Sequence, residues 1–146
     1  MKVIAVDTSA IMAILLREPD AERYAAVLVD ADEVLISAST LLEATIVATR
    51  LAGSANAIER MVSSQLVTVV PFDSQQLLEA QQGFLRFGKG RHPAGLNFGD
   101  CFSYALAKAR ELPLLWKGDD FAQTDMLSAL DVPLHEQSKA GAKEGP

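Results

Sequence analysis

Residues Met1 to Met12 read M-K-V-I-A-V-D-T-S-A-I-M, and the parsing of that stretch decides the fold. Val3 to Val6 is a short apolar run rich in β-branched side chains, and it stops at Asp7-Thr8-Ser9. Helix-forming residues begin at once. A buried strand that ends on an acid and turns into a helix places that acid at the strand's carboxyl end, the edge where open α/β sheets bind ligands. Asp7 or Thr8 is equally suited to cap the following helix, since both residue types are favoured there. The rest of the chain has to decide between the two readings.

Working outward, Ala10 to Leu16 is helical in composition and too apolar for a surface helix. Pro19 breaks it, and Asp20 caps a second helix to about Val29. Glu33 to Ser37 is a second buried strand, Thr40 to Leu51 a helix stopped by Gly53, and Ala55 to Leu66 another helix. Val67 to Val70 is a third strand closed by Pro71, and Ser74 caps a long helix through Phe87. Gly88 to Gly95 is a glycine-rich, basic loop. Phe98 to Glu111 returns to helix, Pro113 to Trp116 is a fourth strand, and Lys117-Gly118-Asp119-Asp120 is a turn into a short helical segment. Asp131 to Leu134 reads as a last, edge strand. Apolar strands alternating with helices imply an α/β fold, a mostly parallel sheet of four to five strands with helices on both faces. Residues 1–136 form one domain without an internal repeat, and the small, polar tail 137–146 is expected to be disordered.

The longest apolar stretch, Ala10 to Leu16, is far too short to span a bilayer. The start of the chain lacks the basic region and cleavage site of a signal peptide. The single cysteine, Cys101, cannot form an internal disulfide, so the expected compartment is the cytoplasm, with no membrane partner. A net charge of −6 argues against a simple basic binder of nucleic acid. Acids gathered at a metal site would lower the net charge without repelling a substrate once the metal is bound. Arg86, Lys89, Arg91 and His92 also stand close together.

The acids fall into two populations. Asp20, Glu22, Asp30, Asp32, Glu79, Glu111 and Glu136 sit where solvated helix faces and loops are expected. Asp7 ends a strand, Glu43 lies in an otherwise apolar helix start, Asp100 opens a helix, and Asp119 follows the fourth strand. Each has a structural explanation when taken alone. Thr40-Leu41-Leu42-Glu43 matches a capping box, Asn97 suits a cap with Asp100 in the first turn, and Asp119 suits a turn. Taken together they favour a site, because all strand-to-helix junctions of a parallel sheet lie on one rim. Clustered carboxylates raise one another's pKa unless a cation is present, and such hard oxygen donors suit Mg²⁺ or Mn²⁺. His92 and His135 are isolated, which argues against zinc, and no phosphate-binding glycine loop or nucleophile elbow is present.

V-I-A-V-D-T-S-A, the Glu at position 43, L-N-F-G-D-C-F-S-Y-A-L-A and L-L-W-K-G-D-D-F-A-Q-T-D together resemble the PIN-domain ribonucleases, and more closely the VapC toxins of bacterial toxin–antitoxin pairs. The resemblance runs from about residue 1 to 134. It implies a PIN fold and an Mg²⁺- or Mn²⁺-dependent endoribonuclease neutralised by a VapB-type antitoxin, with a homodimer and a heterotetramer or larger complex. The family's acids fall on Asp7, Glu43 and Asp100, with the fourth acidic position on Asp119. The adjacent Asp120 leaves that register open by one residue. Ser9 resembles the polar residue that assists the site, and Thr124-Asp125 matches closer relatives in a supporting role.

On that reading Asp7 and Asp100 hold the metal directly, Glu43 and Asp119 complete the shell, and cleavage leaves a 5′-phosphate and a 3′-hydroxyl. Arg86, Lys89, Arg91 and His92 are candidates for RNA phosphate contacts, with a solvated loop as the plain alternative. Trp116, Phe98 and Phe102 are expected in the core. Surplus apolar surface on Ala10 to Leu16 and Leu41 to Leu51 is expected to form an interface. Two rival readings stand beside the nuclease. One is aspartate-based phosphotransfer or phosphatase chemistry, which Asp7-Thr8-Ser9 disfavours by lacking the second acid of a D-x-D motif. The other is a non-catalytic partner-binding module.

Overall fold

The first strand, β1 (Val3–Val6), pairs in parallel with β2 (Glu33–Ser37) on one side and with β4 (Leu114–Leu115) on the other. Outside β2 lies β3 (Thr68–Val70), also parallel, so the four-stranded order is β3-β2-β1-β4. The computed structural model describes residues 1–51 and 55–135. The chain passes from β1 through α1 (Thr8–Leu15) and α2 (Ala21–Asp30) to β2, then through α3 (Ala38–Arg50) and α4 (Ala55–Ser63) to β3. From there α5 (Ser74–Phe87) and α6 (Phe98–Arg110) carry it back across the sheet to β4, on the far side of β1. The direction of winding therefore reverses between β1 and β4, a topological switch point.

Alternation along the strands divides the interior into two cores. Ile4 and Val6, Val34 and Ile36, and Leu115 turn to one face, where Ile11, Tyr24, Leu28, Ala44, Ala48 and Ile58 of the first four helices cover them. Ala5, Leu35, Leu114 and Trp116 turn to the other, against Phe87, Tyr104, Leu106, Phe121 and Met126. Nearly continuous apolar strands are the signature of a sheet buried on both sides. No described helix is long and apolar enough to cross a membrane.

Several local expectations are corrected. The expected edge strand Asp131 to Leu134 is not formed. Earlier residues take the place beside β4: Leu114 N donates to Leu127 O (2.9 Å), Leu114 bridges Ser128, and a 3₁₀ turn follows at Ala129–Asp131. Helix α5 is capped by Asp73, which accepts from Gln76 N at 2.9 Å, and not by Ser74. Asp20 precedes α2 but makes no side-chain capping bond. The apolar surface of the stretch Ala10 to Leu16 is confined to its end: Ala10, Ile11, Met12 and Ala13 are buried, Ile14 and Leu15 are half-buried, and Leu16 is exposed. Leu42 and Ile46 of α3 are exposed as expected. Trp116 is buried, whereas Phe98 is 82% exposed and stands outside the core. The tail 137–146 lies outside the described residues.

Candidate active site

Asp7 leaves the end of β1 at the switch point, and the turn carrying Asp119 and Asp120 leaves the end of β4 beside it. The two ends are joined by Asp7 N donating to Leu115 O at 3.0 Å. Asp7 is both the N-cap of α1 and a buried acid at the carboxyl end of β1, so its capping bond leaves it on the rim. Its Oδ2 accepts from Ser9 N (3.0 Å) and Ser9 Oγ (2.7 Å), and its Oδ1 accepts from Ser103 Oγ at 2.5 Å. Ser9 Oγ in turn accepts from Lys117 N at 2.9 Å, which ties the β4 turn to the start of α1.

Glu43 is not part of a capping box. Helix α3 begins earlier, at Ala38, with Ser37 as its cap, so Glu43 lies in the second turn and Thr40 is fully buried. Thr8 Oγ1 donates to Glu43 Oε1 at 2.7 Å. The other oxygen lies against α6: an ideal Cβ at Gly99 would stand 2.0 Å from Glu43 Oε2. Gly99 is thus a place of close approach, where only a residue without a side chain lets the carboxylate reach the start of α6.

Asp100, the next residue, does form the expected capping box with Asn97: Asn97 N donates to Asp100 Oδ2 (3.0 Å) and Asp100 N to Asn97 Oδ1 (2.9 Å). It also meets the other acids. Burial pushes its carboxyl up to about 7, the Asn97 amide opposes this, and the charges of Asp7 and Asp120 and a hydrogen bond with Asp120 add to it. The residue brought against Asp100 is therefore Asp120. Asp119 and Asp120, between which the sequence leaves the register open, are both exposed, and Asp119 has no side-chain hydrogen bond or ion pair with another described residue. Gly118, at φ +102°, makes the tight turn that sets this register.

Asp125 stands apart from the acids. It accepts from Tyr104 Oη (2.9 Å) and Lys108 Nζ (2.9 Å) and pairs with Arg86 at 3.4 Å, fastening the segment after β4 to α5 and α6. Thr124 Oγ1 donates to Phe121 O and accepts from Met126 N, a local turn. Of the basic candidates, Arg86 is held by Asp125 and lies over the Phe87 ring, and Arg91 Nε donates to Leu85 O at 3.1 Å. His92 Nδ1 accepts from Ala94 N, while Lys89 is exposed. Sequence reasoning missed Thr8, Thr40, Gly99 and Ser103. The signal was present in helical spacing, since Thr40 and Glu43, and Asp100 and Ser103, are each three residues apart on one face. Among the described residues no group of three or more His, Cys, Asp or Glu side chains is ready-made to enclose a metal ion.

A PIN-domain family model matches residues 4–127. Ribonuclease VapC28 of Mycobacterium tuberculosis is 46% identical over 129 residues, covering 86% of this chain and 97% of that protein. The chain belongs to the PIN-domain VapC family. Among solved structures, Mycobacterium tuberculosis VapC20, described as a sarcin-ricin-loop-cleaving toxin, superposes with a TM-score of 0.70 at 19% identity, over 85% of this chain and 96% of that one. VapBC2 of Rickettsia felis, solved bound to a fragment of promoter DNA, gives 0.67 at 12% identity, over 86% and 96%. At those identities the likeness is one of fold. The parallel sheet and its helical layers are the PIN architecture of the VapC family.

Proposed function

We propose that this chain is an endoribonuclease toxin that hydrolyses RNA phosphodiester bonds at the acidic rim with Mg²⁺ or Mn²⁺, and that a VapB-type antitoxin restrains it. The observation that carries the reading is the rim at the β1/β4 switch point, where Ser9 and Ser103 hold the buried Asp7 and Thr8 holds Glu43, and where burial first and then the charges of Asp7 and Asp120 push Asp100 up to about 7. Like charges crowded in this way are relieved by a cation. The donor set fits a small, hard ion: Mg²⁺ is usually held by one or two carboxylates, with water and phosphate oxygens filling its octahedron. A closed cage of three protein acids is therefore not needed.

Asp7 and Asp100 would hold the cation. When bound, it supplies an acidified water and neutralises charge growing on the scissile phosphate. Glu43, fixed by Thr8, and Asp120, beside Asp100, accept hydrogen bonds from water entering the rim and orient it for in-line attack, leaving a 5′-phosphate and a 3′-hydroxyl. Lys89, whose amide pairs with Leu96 O at 2.9 Å just ahead of α6, contacts RNA phosphate. Such contacts make RNA affinity fall with salt.

The partner surface follows from exposed apolar side chains. Leu77, Phe84, Leu85, Phe98 and Phe102 line a groove of about 920 Å³ between α5 and α6, and Leu42 and Ile46 extend the apolar surface along α3. Patches of this kind mark protein interfaces. A further fold neighbour, from Klebsiella pneumoniae, is described as a toxin–antitoxin complex. On this proposal the chain forms a homodimer and a heterotetramer or larger assembly with its antitoxin.

The test is cleavage of total RNA by antitoxin-free protein with Mg²⁺ or Mn²⁺, with EDTA, and with Asp7→Asn. Discrete products that disappear with EDTA and with the substitution support the proposal. A folded, inactive wild type would leave the partner-binding module as the better reading.

A further inference from the structure

The interior has few buried polar side chains, and Thr8, Thr40, Ser103 and Asp7 are four of them, all at the rim. Ser103 is 1% exposed, lies in the second turn of α6, and shares a helix face with Asp100. Its Oγ donates to Asp7 Oδ1 at 2.5 Å and stands 3.2 Å from Thr40 Oγ1. A serine hydroxyl carries a single proton. That of Ser103 goes to the carboxylate, so the proton in the Thr40–Ser103 contact belongs to Thr40. The two hydroxyls form a directed chain, Thr40 to Ser103 to Asp7.

The acceptors of Asp7 can then be counted. An ionised carboxylate offers about four lone-pair sites, two on each oxygen. Both on Oδ2 are taken, by Ser9 N and Ser9 Oγ. One on Oδ1 is taken by Ser103. A single acceptor site remains, on Oδ1.

We propose that Ser103, backed by Thr40, is a positioning residue that makes Asp7 a one-oxygen ligand, leaving one lone pair of Oδ1 for the divalent cation. This rests on the metal-nuclease reading above and adds a role for residues that carry no charge. One face of α6 thereby supplies one acid of the pair, Asp100, and orients the other, Asp7. A serine that merely satisfied itself on the nearest acceptor would affect folding alone. A positioning serine affects how the site takes a cation.

The experiment measures Mn²⁺ binding to the metal-free full chain by calorimetry and electron paramagnetic resonance. It compares wild type with Ser103→Ala, Ser103→Thr, Thr40→Val and Asp7→Asn, each checked by circular dichroism. Loss of a residue that orients a metal ligand lowers affinity by about 10- to 100-fold, and Ser103→Ala is expected in that range. Thr40→Val, which keeps the volume and removes the hydroxyl, shows a smaller loss in the same direction. Ser103→Thr, which keeps the hydroxyl, binds closer to wild type than Ser103→Ala does. RNA cleavage by Ser103→Ala shows a lowered kcat with KM unchanged. If wild type binds Mn²⁺, Asp7→Asn does not, and folded Ser103→Ala and Thr40→Val bind as wild type does, the role of Ser103 is overturned and the nuclease reading stands. If wild type shows no saturable Mn²⁺ binding, or Asp7→Asn binds equally well, both fall.

Discussion

A methyl group added at Gly99 should separate folding from catalysis. An ideal Cβ there stands 2.0 Å from Glu43 Oε2, 2.8 Å from Glu43 Cδ and 3.1 Å from Oε1, where ordinary contact begins near 3.4 Å. The carboxylate must therefore retreat by more than about 1 Å, and its 2.7 Å hydrogen bond from Thr8 is disturbed with it. The group that moves is the far end of a flexible side chain, and Gly99 has no positive φ to be strained by alanine. Alanine is also the better helix former, by roughly 0.5–1 kcal/mol. Stability is expected to stay level or rise slightly. Activity should not, because a displacement of about 1 Å at a reacting centre can cost on the order of 10²-fold, or about 2.7 kcal/mol in the barrier. The assay pairs kcat/KM on a defined RNA with thermal unfolding of the same samples. A Gly99→Ala protein as active as wild type would refute the placement of Glu43 in the reaction, and inactivity accompanied by unfolding would make Gly99 a packing residue.

Other predictions follow from the same geometry. Asp120→Asn should reduce cleavage by at least about tenfold, while Asp119→Asn stays near wild type, as kinetics on the two variants will show. The Asp100 carboxyl, raised to about 7 chiefly by burial, binds its proton more tightly folded than unfolded. Metal-free protein should therefore lose stability as pH rises from about 4 to 7, and Asp100→Asn should flatten that slope in thermal melts. Asp30 behaves oppositely. The Lys2 hydrogen bond outweighs burial and, with the His135 amide, holds its carboxyl below the usual range. Its contribution is present above about pH 4 and is lost as pH falls through the lower folded value, so Asp30→Asn should reduce the acid sensitivity of unfolding. Leu78→Glu, on the exposed apolar surface of α5, should weaken self-association or antitoxin binding in sedimentation and pull-down measurements without altering cleavage.

The strands were legible because each is a short apolar run ending at a polar junction, and their parallel pairing puts Asp7, Glu43 and Asp100 at one rim. What escaped depended on contacts across the sequence. The edge strand at 131–134 failed because Leu127 and Ser128 reach β4 first. Asp119 and Asp120 differ by the turn at Gly118, whose φ no periodicity encodes. The capping box at Thr40 had the right letters but the helix starts at Ala38, which frees Thr40 for Ser103. Phe98 looked like core by composition, yet it opens α6 on the exposed rim. Hydroxyls that orient carboxylates carry no charge to draw attention, and their role appears only with distances.

The most direct measurement is the chemistry of the cut ends on a defined RNA, made by wild type and by Asp7→Asn with and without Mn²⁺. The account predicts 5′-phosphate and 3′-hydroxyl termini, formed only with the divalent cation and absent with Asp7→Asn. Termini carrying a 2′,3′-cyclic phosphate, or equal cleavage in EDTA, would contradict it.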